Sequence, residues 1–414
     1  MTEADVDVVI VGAGAAGVGA ARRLAASPLS AVVVEASARV GGRAFTCDIA
    51  GMALDLGCGW LHSADRNAWT RIAEDAGFGV HRRPPAWGRQ YRDLGFPRTD
   101  QAAAGRAFSA WSQRLDASPA SDCAADALEP GGEWNAYIQA ISGFINGDEL
   151  ERVSVADYCA YDAASTNANW RVPFGYGALI AASLPPRLDL RLSTPVKSVE
   201  LVGGSVRLKT PIGAIRARAA ILTVSTAALA GDAISLPREL DGWKHAAACL
   251  PLGRNEKIFL EIVGRNSFEP ETRALGNPRD ARTAAYYIRP FGRPVIECFL
   301  GGAGARIIEN EGPAAGFAHA LAELTGLFGF GVRACLRPLL ASNWSRMTYI
   351  GGSYSHAVPG HAGARKDLAR SFEDRIFTAG EATHAFDFST AHGAHDSGVR
   401  AAEEAIAAVA SRPA

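Results

Sequence analysis

Residues 6–17 of the chain read VDVVIVGAGAAG, and residues 31–35 read AVVVE. The first stretch is a β-branched run that ends in a GxGxxG turn, and an alanine-rich segment of helical character follows it to about Ala26. The second stretch is another β-branched run, and it closes on an acid. A strand, a glycine turn, a helix and a strand within about thirty residues predict a βαβ unit of the dinucleotide-binding type.

Each glycine of this turn has its own physical role. Gly12 permits the tight turn, Gly14 lets the backbone approach a pyrophosphate, and Gly17 lets the helix pack closely on the strand. Ala15 and Ala16 open the helix, whose free N–H groups and positive dipole end favour phosphate. We therefore predict that these five residues hold the pyrophosphate of a dinucleotide.

The acid at the end of the second strand predicts the other end of that site. Glu35 is placed to accept hydrogen bonds from the hydroxyls of an adenosine ribose, with Ala36 directly after it. This pattern is common to proteins that bind NAD and proteins that bind FAD. The fingerprint alone therefore predicts a dinucleotide without choosing between them.

Composition limits the class of protein. The chain has 414 residues and a net charge of −1, and 48% of its residues are hydrophobic. These values are typical of a soluble two-domain enzyme and give no field that favours nucleic acid. No apolar run approaches the roughly 18 residues of a membrane span, and the N-terminus lacks a secretory pattern. We expect a cytoplasmic protein without nucleic-acid or membrane partners.

The seven cysteines are scattered and never form a CxxC pair. Their number is odd and their spacing irregular, which argues against a disulfide framework and against a zinc site. The sequence therefore predicts reduced thiols and no metal site.

Four further stretches separate FAD from NAD. Residues 39–43 read RVGGR and residues 51–57 read GMALDLG, with Trp60 shortly after; residues 377–383 read FTAGEAT and residues 393–402 read GAHDSGVRAA. In these stretches the chain resembles the flavin amine oxidase family, which includes monoamine and polyamine oxidases. The resemblance implies that the cofactor is FAD.

The same resemblance implies which residues hold the FAD. The glycine-rich loop with Arg43 wraps the pyrophosphate, and the segment 57–60 passes beside the isoalloxazine ring. A final helix, expected from about Ala394 to Ala410, points its N-terminus at the pyrimidine edge of the flavin. The contacts implied in this way are Arg43, Gly57, Gly59, Trp60, Val196, Trp344, Gly380, Glu381, Thr390 and Ala391.

The order of these motifs predicts the architecture. We expect an α/β fold with a Rossmann-like FAD-binding domain of the GR2 type, assembled from residues 1–65, 188–250 and 345–414. The intervening residues, 66–187 and 251–344, are expected to form an inserted α+β substrate domain.

Three positions bear on the chemistry, again by resemblance. Lys257 falls where the family places a lysine bonded through water to flavin N5. Tyr354 falls at one wall of an aromatic cage, where its electron-rich face can meet a substrate amine. Ser353 stands where monoamine oxidases carry the cysteine that links the flavin covalently. Because a hydroxyl cannot form that thioether, we expect noncovalent FAD.

Two further positions move the expected substrate away from small monoamines. Thr390 stands where monoamine oxidases have a second cage tyrosine, so one wall is open to a longer or bulkier amine. His62 falls where animal polyamine oxidases place a histidine that faces the substrate, although a packing role is an alternative. We predict Lys257, Tyr354, Thr390 and His62 as the catalytic group.

The resemblance implies an FAD-dependent amine oxidase. A polyamine-like or bulky primary or secondary amine would lose a hydride equivalent to flavin N5, and dioxygen would reoxidise the flavin to give hydrogen peroxide. The alternatives of the same fold are an L-amino-acid oxidase and a carbon–carbon desaturase, and a flavin-binding protein without turnover is a third. The oligomeric state is open.

Charge is uneven within the first insertion. Residues 81–114 contain seven arginines, and residues 116–162 contain ten acidic residues. The acidic residues form either solvated helix faces or a rim that attracts a cationic substrate. The arginines between 82 and 98 leave open a cation for the carboxylate of an amino acid.

Overall fold

The computed structural model describes residues 5–117, 119 and 121–412. The strands in those residues are β1 (Val6–Val11), β2 (Ala31–Val34), β3 (Thr46–Ile49), β4 (Met52–Asp55), β5 (Asp189–Arg191), β6 (Ser198–Val202), β7 (Ser205–Thr210), β8 (Gly213–Leu222), β9 (Asn255–Ile262), β10 (Thr272–Leu275), β11 (Ala285–Ile288), β12 (Val295–Gly301), β13 (Leu336–Ala341) and β14 (Ile376–Thr378). The α-helices are α1 (Ala15–Ala25), α2 (Ala68–Asp75), α3 (Arg98–Asp116), α4 (Asn135–Asn146), α5 (Val155–Ala164), α6 (Tyr176–Ala182), α7 (Thr226–Ala230), α8 (Asp241–Ala248), α9 (Ala305–Glu311), α10 (Pro313–Phe328), α11 (Ala364–Leu368) and α12 (Ala391–Ser411).

The larger sheet has seven strands and carries the dinucleotide fingerprint. Its order is β5-β2-β1-β8-β7-β6, and β14 also pairs with β8. The pairs β5–β2, β2–β1, β1–β8 and β8–β14 are parallel, and β6, β7 and β8 form an antiparallel meander. A strand as apolar as β1, whose last four residues are buried, suits a sheet covered on both faces. The α/β, Rossmann-like fold predicted from the sequence is confirmed.

The seven strands come from three separated parts of the chain, 6–34, 189–222 and 376–378. The boundaries between the two predicted domains stay a prediction. Residues 1–4 and 413–414, at the two ends of the predicted FAD-binding domain, lie outside the described part of the chain. Residues 118 and 120, in the predicted substrate domain, lie outside it as well.

The second sheet has the order β10-β11-β12-β9-β13 and is antiparallel throughout. One face buries alternate residues, among them Ile258 and Leu260, against Ile308 of α9 and Leu324 of α10. Neighbouring residues of a strand point to opposite faces of the sheet. Lys257 directly precedes Ile258, so its side chain points to the opposite face. That other face is where the cavity described below lies.

The last helix, α12, begins at Ala391 and not at the Ala394 expected from the sequence. Thr390 explains the difference, because its hydroxyl accepts a hydrogen bond from the Gly393 N–H at 3.0 Å and so caps the helix. The helix packs along α1, which begins at Ala15 within the GxGxxG motif. Both helix N-termini consequently lie at the edge of the same cavity.

Candidate active site

One large cavity, about 1080 Å³ in volume, is lined by both sheets. Every residue that the sequence assigned to the site lines it, except Gly17. The predicted residues in its wall are Gly12, Gly14, Ala15, Ala16, Glu35, Ala36, Arg43, Gly57, Gly59, Trp60, His62, Val196, Lys257, Trp344, Tyr354, Gly380, Glu381, Thr390 and Ala391. A continuous cavity therefore joins the fingerprint at one end of the chain to the motifs at the other.

Gly17 does not line the cavity but allows two backbone segments behind its wall to pack closely. A Cβ atom at this position would stand 1.9 Å from the Gly12 carbonyl oxygen, so the first turn of α1 touches the glycine turn directly. Gly12 itself has a φ of +108°, which side chains rarely adopt. The two glycines thus set the close approach of helix and turn that the sequence predicted for them.

The N-terminus of α1 is open to an anion. The Ala15 and Ala16 N–H groups precede the first intrahelical bond, in which Val18 N–H donates to Gly14 O at 2.9 Å. The first turn of α1 contains no acidic residue, and Gly14 provides no side-chain cap. These free donors and the helix dipole fit a pyrophosphate.

Glu35 is held rigidly at the end of β2. It is 7% exposed, and its carboxylate accepts the Ala13 N–H at 2.8 Å and the Ser37 N–H at 2.7 Å. Each oxygen keeps further acceptor capacity on the side of the cavity. A fixed carboxylate in the cavity wall fits the hydroxyls of a ribose.

Arg43 and Glu381 join the two ends of the chain. The Arg43 Nη1 donates to Glu381 Oε1 at 2.9 Å, and Glu381 is 4% exposed. Burial alone would raise the pKa of Glu381, but the charges of Arg43 and Arg365, with hydrogen bonds from Ser355 and Ser389, outweigh it and lower that pKa. The carboxylate therefore remains ionised beside the Gly-Glu segment.

A buried arginine that sequence reasoning missed also supports Glu381. Arg365 is 2% exposed; its guanidinium binds both carboxylate oxygens of Asp157 at 2.6 and 2.8 Å and donates to Ser355 Oγ at 3.0 Å. Ser355 Oγ in turn donates to Glu381 Oε2 at 2.7 Å. The position of Glu381 thus depends on α11 and on α5, which lies more than 200 residues earlier in the chain.

A hydrogen bond fixes the segment that follows Arg43. Trp344 is 4% exposed, and its indole N–H donates to Leu56 O at 3.2 Å, next to Gly57 and Gly59. Trp344 therefore holds this segment at the cavity wall. Val196, 5% exposed, lines the same cavity.

Thr390 and Ala391 form the N-terminus of α12 at the cavity. The Thr390 hydroxyl donates to Asp387 O at 2.6 Å and accepts from Gly393 N–H, so both of its functions serve the helix cap. That the small side chain leaves one wall open to a larger amine stays a prediction. Its assignment to the catalytic group stays a prediction as well. The hydroxyl is already engaged in the two hydrogen bonds of the helix cap.

Lys257 lies at the wall formed by β9 and β12. Its Nζ is 2.9 Å from Glu297 Oε1 and donates to Asp55 O at 3.1 Å. Burial would lower the pKa of Lys257, but the carboxylates of Glu297 and Asp55 outweigh this and raise it. The ammonium group is therefore charged at neutral pH. Glu297 escaped the sequence analysis, because only strand pairing reveals it as a neighbour.

Tyr354 is anchored by its hydroxyl, which donates to Phe144 O at 2.5 Å. Burial raises its pKa well above the usual value, with the neighbouring Tyr161 contributing. Tyr161, on α5, also lines the cavity and was not predicted. The side chain of Ser353 turns away from Tyr354, because its Oγ donates to Asn255 Oδ1 at 2.7 Å.

His62 and Trp60 lie in an aromatic part of the cavity. The His62 Nδ1–H donates to Asn169 Oδ1 at 2.8 Å, and burial lowers its pKa to about 4. The ring of Trp60 lies 4.8 Å from that of Trp87 and 6.0 Å from that of Tyr287. His62 is consequently a neutral hydrogen-bonding group at physiological pH. Trp87 and Tyr287 were missed because they belong to the two insertions, where the motifs are weakest.

One other group of side chains was not foreseen. His245, Cys249 and His361 place a ligand atom each within 4.8 Å of one another, whereas the sequence predicted no metal site. His245 and Cys249 share a helix face, but His361 comes from a distant segment, so spacing could not bring the three together. None of them lines the cavity. The seven cysteines are free thiols.

Comparison with known proteins identifies the family of this chain. The sequence model of the flavin containing amine oxidoreductases matches residues 92–406, and that of an NAD(P)-binding Rossmann-like domain matches residues 10–76. The first match covers more than half of the chain. The chain belongs to the flavin-containing amine oxidase family. It is an FAD-dependent oxidoreductase that acts on amines.

Individual relatives are distant but extend over most of the chain. Polyamine oxidase 2 of Arabidopsis thaliana is 24% identical and polyamine oxidase 1 of Oryza sativa subsp. japonica is 28% identical, each over 96% of this chain. The alignments cover 87% and 96% of those two proteins. A putrescine oxidase structure is similar in fold, with a TM-score of 0.74 at 19% identity, over 97% of this chain and 99% of that one.

In the described residues, no helix is both long enough and apolar enough to cross a bilayer.

Proposed function

We propose that this amine oxidase oxidises an extended or bulky primary or secondary amine, polyamine-like in length, at the carbon that carries the nitrogen. The observation that carries the proposal is the presence of Lys257, Tyr354 and His62 in one cavity with the dinucleotide fingerprint. FAD, when bound, supplies the acceptor for a hydride equivalent at N5 and passes the electrons to dioxygen, giving hydrogen peroxide.

The residues of the chain orient the amine. Tyr354 and Trp60 offer aromatic faces to the nitrogen, and Tyr354 is fixed by its bond to Phe144 O. His62, whose pKa is lowered to about 4, accepts or donates hydrogen bonds without carrying charge. No strong general base is required if the amine arrives deprotonated. Positioning of the amine by these side chains then contributes to the rate.

Lys257 acts as a fixed charge beside the reacting centre. Its ammonium group is held by Glu297 and Asp55 O, so it cannot rotate freely. We assign it the ordering of a water molecule and the support of the step with dioxygen.

The width of the site favours a large amine. Thr390 has a small side chain where monoamine oxidases have a second cage tyrosine, and the cavity has a volume of about 1080 Å³. Two relatives are named polyamine oxidases, and the similar solved structure is a putrescine oxidase. These likenesses support an aliphatic amine over a carotenoid-like substrate.

We also propose that the FAD is bound without a covalent link. Ser353 has a hydroxyl in place of a thiol, and Asn255 holds that hydroxyl away from Tyr354. Acid precipitation should release all of the flavin into the supernatant. Flavin that remained with the pellet would contradict this.

The function is tested by following oxygen consumption and peroxide together over a panel of monoamines, diamines, polyamines and L-amino acids. We expect peroxide from amines, with Lys257→Met slow and Lys366→Met, a change at an exposed lysine, unaffected. Peroxide only from L-amino acids would favour the amino-acid oxidase alternative. No peroxide from any amine would overturn the proposal.

A further inference from the structure

Arg273 lies in the cavity wall without an acidic partner. It is on β10, its exposed surface faces the cavity, and its Nη1 donates to the Trp87 carbonyl oxygen at 2.5 Å. Among the described residues, no carboxylate lies within ion-pair distance of its guanidinium. Arg43 and Arg171, in contrast, are each paired with a glutamate.

A guanidinium in such surroundings is costly to leave unpaired. Burial lowers the pKa of Arg273, against the opposing effect of the Tyr137 phenol. A bond to one neutral carbonyl offsets only part of the lost hydration, since a buried cation is normally paired with an anion. The site therefore gains stability from any bound molecule that brings an anion to Arg273.

Three of the four acidic residues in the cavity lining are already engaged by other groups. Glu35 and Glu381 are engaged at the end assigned to FAD, and Glu297 is paired with Lys257 at 2.9 Å. Asp162, the remaining acid in the lining, is exposed. A diamine or polyamine would bring its distal charge towards Arg273, which would repel it.

We propose that Arg273 binds a carboxylate of the substrate, so that this amine oxidase acts on amines that carry a carboxylate at a distance from the nitrogen. The inference rests on the proposed function and narrows its substrate class from amines in general to amino acids of the ω type. A planar guanidinium suits this partner, since its remaining N–H groups can make two parallel bonds to a carboxylate.

The sheet sets the distance between the two ends of such a substrate. Arg273 is on β10 and Lys257 is on β9, and two strands, β11 and β12, lie between them. Three steps of about 4.8 Å separate their backbones by about 14 Å. An amine at Lys257 and a carboxylate at Arg273 therefore belong to different ends of an extended molecule.

The surface between the two ends presents two aromatic rings and one acid that is already paired. Register places Tyr287 beside Arg273, and Phe299 beside both Ala285 and Lys257. Glu297 lies beside Tyr287 and is engaged by Lys257. All of these side chains line the cavity. A hydrocarbon spacer can lie across this surface and bury apolar area.

The far wall is fixed before any substrate binds. The Leu275 N–H donates to Gln90 Oε1 at 2.8 Å, and Gln90 Nε2 donates to Leu275 O at 3.0 Å. Together with the bond from Arg273 to Trp87 O, this pins segment 87–90 to the edge of β10. Arg273 is thus held in one orientation, which lowers the entropy cost of binding a carboxylate.

The test compares hexylamine, the six-carbon diamine and the six-carbon ω-amino acid as substrates. In the wild type we expect kcat/KM for the ω-amino acid to exceed that for hexylamine by about 10- to 100-fold, mainly through KM. Arg273→Gln should abolish this ratio, and Arg273→Lys should keep part of it. Arg337→Gln, at an exposed arginine of the same sheet, should leave the ratio unchanged. A ratio that Arg273→Gln does not alter would overturn the proposal.

A binding measurement covers the case in which Arg273→Gln fails to fold. Calorimetric titration of wild-type holoenzyme with hexanoate and with hexanol should show tighter binding of hexanoate; equal affinities would overturn the proposal. Preference for α-amino acids over ω-amino acids of the same length would overturn it as well. If hexanoate binds but no amine is oxidised, the carboxylate site stands and the proposed function fails. If hexylamine and the ω-amino acid are oxidised with equal kcat/KM, the proposed function stands and the carboxylate site fails.

Discussion

The Nζ of Lys257 lies 2.9 Å from Oε1 of Glu297, in an ion pair that links β9 to β12 at the wall of the cavity. The side chains are 9% and 20% exposed, so solvent screens the pair only in part. Glu297, with Asp55, raises the pKa of the lysine against the effect of burial. The pair therefore fixes both the position and the charge of Lys257.

Lys257→Met should slow the reaction with dioxygen while amine oxidation is affected much less. The methionine keeps the volume of the chain but removes the ammonium group, and loss of one preorganised charge costs about 100-fold in rate. Rapid mixing of the amine-reduced enzyme with dioxygen measures this step apart from anaerobic reduction. Equal slowing of both steps would contradict the role assigned to the lysine.

Glu297→Gln should lower the pKa of Lys257 and destabilise the fold. The substitution leaves a mostly buried ammonium group without its carboxylate, which costs about 3 kcal/mol in the free energy of unfolding. Urea denaturation measures the loss, and Glu311→Gln, at an exposed helix end, is the matched control. An unchanged midpoint for Glu297→Gln would show that the pair contributes nothing.

Tyr354 should act through the face of its ring more than through its hydroxyl. Tyr354→Ala removes the aromatic face and should lower kcat/KM for amines by about tenfold. Tyr354→Phe keeps the ring but loses the bond to Phe144 O, so we expect a cost of about 1 kcal/mol in stability and a smaller kinetic effect. Steady-state kinetics and thermal unfolding separate the two. Equal kinetic losses would assign the role to the hydroxyl.

Gly17→Ala should destabilise the protein and reduce its FAD content. The new Cβ would stand 1.9 Å from the Gly12 carbonyl, and backbone atoms cannot rotate away as a side chain can. We expect a loss of about 3 kcal/mol, together with less flavin bound per protein. Gly326→Ala, where no atom lies within 4 Å, should instead stabilise its helix by about 0.5–1 kcal/mol. A yellow, fully stable Gly17→Ala protein would contradict the close approach.

Stability should fall between pH 6.5 and pH 4 because of His356, which is 1% exposed. Burial, with the charges of Arg365 and Arg152, lowers its pKa to about 4. Between these two pH values, His356 binds a proton in the unfolded chain but not in the folded chain. This contribution is complete above pH 6.5 and is lost as the pH falls towards 4, by about 3 kcal/mol at most.

Urea denaturation at pH 7 and at pH 4.5 measures the effect. His356→Gln should reduce the dependence in this range to the part that His62, whose pKa is also lowered to about 4, contributes. His361→Gln, at an exposed histidine, should leave it unchanged. The same slope in wild type and His356→Gln would assign the pH dependence to other groups.

The dinucleotide fold was predictable because its signals are local. Gly12, Gly14 and Gly17 allow backbone geometry that other residues resist, and β-branched runs on either side define the strands. Resemblance at residues 39–43 and 377–383 then extended the prediction to FAD and to the amine oxidase family. The helix α12 begins at Ala391, three residues before the predicted start, because Thr390 caps it. The sequence analysis assigns Thr390 to the cage and not to the helix cap.

The distant partners were not predictable. Glu297, Arg365 and Tyr161 become neighbours of Lys257, Glu381 and Tyr354 only when separate strands and helices pack together. No spacing in the sequence encodes a contact between residues of different segments.

The sequence by itself determined the fingerprint, the family and the residues of the FAD end, because each depends on a few consecutive residues whose backbone must take one form. The tertiary structure decided the charge of Lys257 and left Arg273 without an acidic partner. Those properties depend on burial and on which strands lie side by side, and both arise only when the second sheet has formed.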